Sequence, residues 1–275
     1  LKQYKTTITT AQPSPSFTIE LSSLAKQKGN QILTNQVIKT VIFNKMNKAI
    51  PTKKADHYFF AAMAIYYLTT ASLGFGYSSK NIISNGGEIP LRAIIHGALG
   101  GIWYTLFFLQ VLLIVLKKRK LHMKLGNISV PIIILIFITG IYVVLLREPL
   151  PFEPTPFAFM GSELALMLMG VIYTVLGYIN RYKPHYHKRY YLMSIIILSG
   201  AGILRFYNFL EIQMFNSLVV IYFIPFLLIF LFDLIIYRKL FKATWIGFLI
   251  YILFQFVLAG VFNNIADFLR LLLKS

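Results

Sequence analysis

The chain has 275 residues, 57% of them hydrophobic and only 13% charged, and its 27 Lys and Arg against 9 Asp and Glu give a formal net charge of +18. Soluble domains carry about 25% charged residues, so with a mean hydropathy of +0.68 this chain lacks the surface that a water-exposed fold shows. The absence of cysteine excludes disulfides, thiolate metal sites and cysteine nucleophiles. The basic excess lies in short loops between apolar runs rather than along one stripe of a soluble fold. That pattern belongs to membrane topology and excludes nucleic acid as a partner.

Residues 1–55 are polar and rich in Thr, Lys, Gln and Asn, with a PSPS turn signal at Pro13–Ser16. Met46 opens MNKAIPTKK directly before the first apolar run, which marks it as the expected natural start. Under that reading residues 1–45 are upstream sequence or a poorly ordered tail. The alternative is an amphipathic stretch over residues 32–43 lying on the membrane surface. Residues 56–275 then form the second unit, an all-α transmembrane bundle. Runs of about 20 apolar residues mark spanning helices. Seven are expected, at 58–77, 91–116, 130–146, 157–179, 190–207, 212–236 and 243–268. Short loops make sequential helices antiparallel neighbours.

Loop charge sets the orientation. Lys45, Lys48, Lys53 and Lys54 precede the first span, and the same side later carries Lys117–Lys120 with Lys124, then Arg181, Lys183, Lys188 and Arg189, then Arg238, Lys239 and Lys242. The other side has Lys80, Arg92, Arg147, Arg205, Arg270 and Lys274 mixed with Glu88, Glu148, Glu153 and Glu211. The positive-inside rule places the N-terminus in the cytoplasm and the C-terminus outside.

Ionisable groups within spans usually face a bundle interior or a cavity. His96 lies about five residues, and Glu163 about seven, from the outer ends of their spans, with Arg205 close to another outer end; at about 1.5 Å per residue all three share the outer third of the bilayer. His96, Trp103 and Gln110 recur every seven residues and line one helix stripe, a polar track running inward. Two readings stand side by side: a buried network that pins three helices, or an outward-facing pocket for a small solute or lipid lined by His96, Trp103, Gln110, Glu163 and Arg205. Gly97 and Gly101 have the small-xxx-small spacing of closely packed helices, and Gly200–Gly202 reads the same way.

On the basic side, His57, His122, His185 and His187 sit where spans meet the cytoplasm, and Asp233 lies near the inner end of the sixth span. Such imidazoles ligate a divalent metal, or in pairs a haem b; His122, His187 and Asp233 are the candidate set. The plain alternative is interfacial residues in basic loops. The last span holds no lysine for a retinal Schiff base, and His96 is the only deep histidine. A three-ligand zinc hydrolase site therefore cannot be built in the outer leaflet.

The runs HGALGGIWYTLFFLQ, LHMKLG and HKRYYLM, in this order with apolar spans between them, resemble a bacterial family of integral membrane proteins without an assigned activity. The likeness covers about residues 57–260. It implies a multi-pass protein of the bacterial cytoplasmic membrane and points to His96, Trp103, Gln110, His122, Gly126, His187, Lys188 and Arg189. It also points to the acidic Glu163, the span-closing Arg205 and Asp233. Family members often carry a second histidine where this chain has Ile94, and another where it reads FKAT after the sixth span. A metal or haem site relying on those positions is not expected here. Three functions follow as expectations: binding or transport of a small solute or lipid, redox chemistry at the basic-side histidines, or a structural role beside another subunit.

Overall fold

The computed structural model describes residues 53–147, 159–212 and 219–274. The expectations for residues 1–52, including the start at Met46 and the surface helix at 32–43, lie outside the described residues. Every regular element among the described residues is helical.

The first helix, α1 (Lys54–Ser84), begins where Asp56 accepts from the Lys53 backbone N–H at 3.0 Å, satisfying a donor that a helix start leaves orphaned. It ends at Asn85 and Gly86, whose left-handed φ of 75° suits glycine at a helix stop. The next helix, α2 (Leu91–Val115), follows Pro90 and is turned off by Lys117 in the left-handed region. A short basic helix, α3 (Arg119–Gly126), leads into α4 (Ser129–Leu145). Then come α5 (Met160–Ile179) and α6 (Pro184–Leu198), the latter opened by proline at its first turn, where no N–H is needed.

The run 190–207, expected as one span, bends by 52° between α6 and α7 (Gly200–Phe209). At the bend Ser199 turns its hydroxyl back onto the Ile195 carbonyl at 2.5 Å, a bond that competes with the helix ladder. A π-helical turn, Val219–Phe223, continues into α8 (Ile224–Phe232) and a second π turn, Asp233–Tyr237. Arg238, with positive φ, closes that stretch. The last run consists of α9 (Lys242–Ile252), a π turn at Leu253–Val257 and α10 (Ala259–Lys274), with a 61° bend between its halves. π turns widen the helix by one residue per turn and mark a local break.

Among the described residues, four helices are long and apolar enough to cross a membrane, or up to six if each bent pair is one span, with Ile221–Tyr237 a shorter apolar helix. The helices pack as a bundle: α5 against α6, α1 against α7 and α2, and α4 between α2 and α5. A close approach occurs at α1–α7, where a side chain on Gly74 would overlap the Gly202 carbonyl and the Phe206 N. Gly97 and Gly101 correct the sequence reading. A side chain at either would meet nothing within 4 Å, because both face away from the bundle; Gly202 makes the contact instead. The core gathers Phe60, Tyr67, Trp103, Met169, Tyr173, Met193 and Phe226, all buried. Two of its phenols are matched: Tyr173 Oη donates to the Gly247 carbonyl at 2.6 Å and Tyr104 Oη to that of Leu198 at 3.0 Å.

Candidate functional site

One end of the bundle collects the start of α1, the end of α2, all of α3, the end of α5, the start of α6 and the segment from Asp233 to Thr244. Two polar groups meet there. The first is a charged clamp. Lys188 and Arg189 are consecutive on α6, so a helix turn of about 100° separates them, and each finds a different acid. Lys188 Nζ lies 2.6 Å from Asp56 Oδ1 on α1; Asp56 also accepts from the Tyr237 hydroxyl. Arg189 and Asp233 are both 0% exposed. Arg189 Nε donates to the two Asp233 oxygens at 3.0 and 3.2 Å, Nη2 completes the fork, and Nη1 donates to the His185 carbonyl at 2.9 Å. Asp233 accepts further from Thr244 Oγ1 at 2.5 Å and the Phe241 N–H at 3.3 Å. The guanidinium lies over the Phe241 ring, 4.0 Å from its centre, and His185 stacks on the same ring at 4.5 Å. Fully paired and hydrogen-bonded, this is the arrangement under which a buried charge persists.

The second group is a cluster of ring and amide side chains between α2, α3 and α6, here termed the chamber. The rings of His122 on α3 and His187 on α6 are 5.9 Å apart, centre to centre, at 79°. His122 Nδ1 is 3.2 Å from the Gln110 carbonyl, and His187 Nδ1 is 2.9 Å from that of Gly177. A carbonyl only accepts, so each ring carries its hydrogen on Nδ1, and when neutral its Nε2 holds a free lone pair. The Gln110 Oε1 and Nε2 atoms are buried and neither is hydrogen-bonded, and the Trp103 indole N–H is in the same condition. Gln110 Nε2 lies against Gly126, four residues beyond His122 and so on the same face of α3. Tyr191 joins the parts: its ring meets His187 at 4.9 Å and Trp103 at 6.3 Å. Its hydroxyl reaches Ser129 Oγ at 2.7 Å, while Ser129 donates to the Gly126 carbonyl at 2.6 Å.

The candidate residues thus sort differently from their order in the sequence. Trp103 and Gln110, assigned with His96 to an outer pocket, stand beside His122 and His187 at the basic end. Asp233 is taken up by Arg189, and no group of three or more His, Asp or Glu is placed to hold a metal among the described residues. At the opposite end, Arg147 Nε pairs with Glu163 Oε2 at 2.9 Å. Arg205 donates to the Ala201 carbonyl at 2.9 Å and lies over Phe75. His96 Nδ1 is 3.0 Å from Thr139 Oγ1 on α4. Thr139 borders an open apolar groove of about 570 Å³ between α4 and α10, lined by Ile138, Tyr142, Leu145, Leu269 and Leu272.

Asp56, Tyr191, Tyr237 and Thr244 were not picked out from sequence. Asp56 carried a usable signal, being one of few acids and standing beside a basic run. The other three are common residue types that only the packing singles out.

These helices define a class, a helical-bundle protein with apolar helices of membrane-spanning length. Comparisons with protein-family models, curated proteins and solved structures return no match.

Proposed function

We propose that this is a multi-pass protein of the bacterial cytoplasmic membrane, related to the motif-bearing family it resembles, that holds a small ligand in the chamber bounded by Trp103, Gln110, His122 and His187. The seven crossings are the four long helices, the two bent pairs and Ile221–Tyr237, with the basic end in the cytoplasm and the C-terminus outside. Support for the topology comes from the gathering of the Lys- and Arg-rich turns at one end of the bundle, as the positive-inside rule requires of a cytoplasmic face.

The observation that carries the ligand reading is the Gln110 amide. Burying an amide without hydrogen bonds costs about 1–3 kcal/mol on protein scales, and here both of its polar atoms are orphaned, on a residue whose backbone carbonyl meets His122 Nδ1. A bound molecule or ion would satisfy them. Native mass spectrometry of the full chain, purified from its own membranes, tests this. The expected result is a non-protein mass on the wild type that is lost in Gln110→Leu. Apoprotein alone in both samples overturns the reading.

A second reading places a lipid tail in the groove between α4 and α10, with Thr139 and His96 as its polar floor. The groove supports it. If His96→Ala and Glu163→Ala lower thermal stability and leave lipid retention and host phenotype unchanged, it fails.

A further inference from the structure

We infer that the ligand of the chamber is a single copper(I) ion, held by Nε2 of His122 and Nε2 of His187 with the Gln110 amide oxygen beside them; this deepens the ligand reading above and rests on it. Four observations converge. First, both rings are fixed through Nδ1–H bonds to backbone carbonyls, the outer support that metal-bound histidines almost always have, because it sets the tautomer and aims the other nitrogen at the metal.

Second, the spacing fits. Imidazole nitrogens bind ions of this size at about 2.0 Å, so two rings on one ion have centres up to about 6 Å apart, the upper limit belonging to a nearly straight N–metal–N angle. The 5.9 Å between His122 and His187 falls at that wide-angle end, where an ion of low coordination number sits. Tetrahedral zinc would draw the rings closer and demand four ligands, which the described residues do not assemble.

Third, every donor is neutral. There is no thiolate in the chain, and Asp56 and Asp233, carboxylates of the same end of the bundle, are committed to Lys188 and Arg189. Imidazole suits copper, and a monovalent ion among neutral donors meets half the repulsion from Arg119 and the neighbouring lysines that a divalent ion would meet. The same clamp makes the site tenable, since it turns the two closest cations of α6 away and neutralises them. Fourth, Gln110 supplies a buried amide whose oxygen and nitrogen both lack a partner, its Nε2 lying against Gly126 on the face of α3 that carries His122.

The test is an anaerobic titration of the detergent-solubilised full chain with Cu⁺ against a chromophoric Cu⁺ chelator. The wild type retains one equivalent. His122→Ala and His187→Ala each weaken retention more than about a hundredfold, beyond the 10–100-fold typical of losing a supporting partner. His57→Ala, on α1 and outside the chamber, leaves it unchanged. Circular dichroism and gel filtration check the fold of each variant. Copper-edge X-ray absorption of the loaded wild type reports nitrogen and oxygen neighbours without sulfur, a readout that does not depend on any variant folding. No retained copper, sulfur ligation, or zinc held in preference to copper overturns the inference. If copper is not held but native mass spectrometry finds haem or an organic molecule that Gln110→Leu removes, the copper assignment falls and the ligand reading stands. If neither is found, both fall.

Discussion

Replacing Asp233 by alanine is the sharpest probe of how the basic end is held together. In the wild type its two oxygens accept from Arg189 Nε and Nη2, Thr244 Oγ1 and the Phe241 N–H. After the substitution Arg189 keeps the His185 carbonyl and the face of Phe241 but has lost its only counterion among the described residues while fully buried. Breaking one side of such a pair costs about 3–5 kcal/mol, because an uncompensated charge stays behind. The folded-to-unfolded ratio then falls by about a hundredfold to a few thousandfold. Unfolding the full chain with SDS in mixed micelles, followed by tryptophan fluorescence, reads this directly, since Trp103 is buried in the core. The double variant Arg189→Met with Asp233→Leu restores stability to within about 1 kcal/mol of wild type, because apolar replacement of a whole buried pair is often neutral. A loss below about 1 kcal/mol for Asp233→Ala refutes the reasoning. So does a double variant as unstable as the sum of its single changes.

Other consequences are separable from this one. Gly74→Leu drives side-chain atoms into the Gly202 carbonyl and the backbone of α7, and should destabilise the protein by at least the 1–3 kcal/mol of ordinary overpacking. Gly97→Leu, where a side chain meets nothing, changes the same SDS midpoint by less than about 0.5 kcal/mol. Because the chain has no native cysteine, single-cysteine variants report orientation cleanly. A membrane-impermeant maleimide added to intact cells should label Glu88→Cys and spare Lys120→Cys until the membrane is opened; the reverse pattern inverts the proposed topology.

Much of the bundle was legible in the sequence, because long apolar runs in a chain this poor in charge admit few other folds. The run expected at 91–116 is α2 almost to the residue. What escaped were the breaks. The bend at Ser199–Gly200 depends on a side chain turning onto its own backbone and on Tyr222 closing over Gly200, neither of which alters hydropathy. The π turns at Val219–Phe223, Asp233–Tyr237 and Leu253–Val257 likewise leave no mark in composition. The motif residues were found individually, yet their grouping was not. Depth along separate spans ranked His96, Glu163 and Arg205 together, whereas rotation about each helix decides which side chains meet. That rotation turns Trp103 toward Tyr191 and Gln110 toward α3. The carbonyl partners of His122 and His187 were invisible for a simpler reason: every residue has a carbonyl, and sequence cannot say which one a ring will meet.

The chamber is tested most directly by an electron cryomicroscopy map of the full chain in lipid nanodiscs, at a resolution that separates side chains from bound atoms. The account predicts non-protein density between the Nε2 atoms of His122 and His187, in reach of the Gln110 amide. A map in which those nitrogens and that amide close onto protein groups, with no density between them, contradicts it.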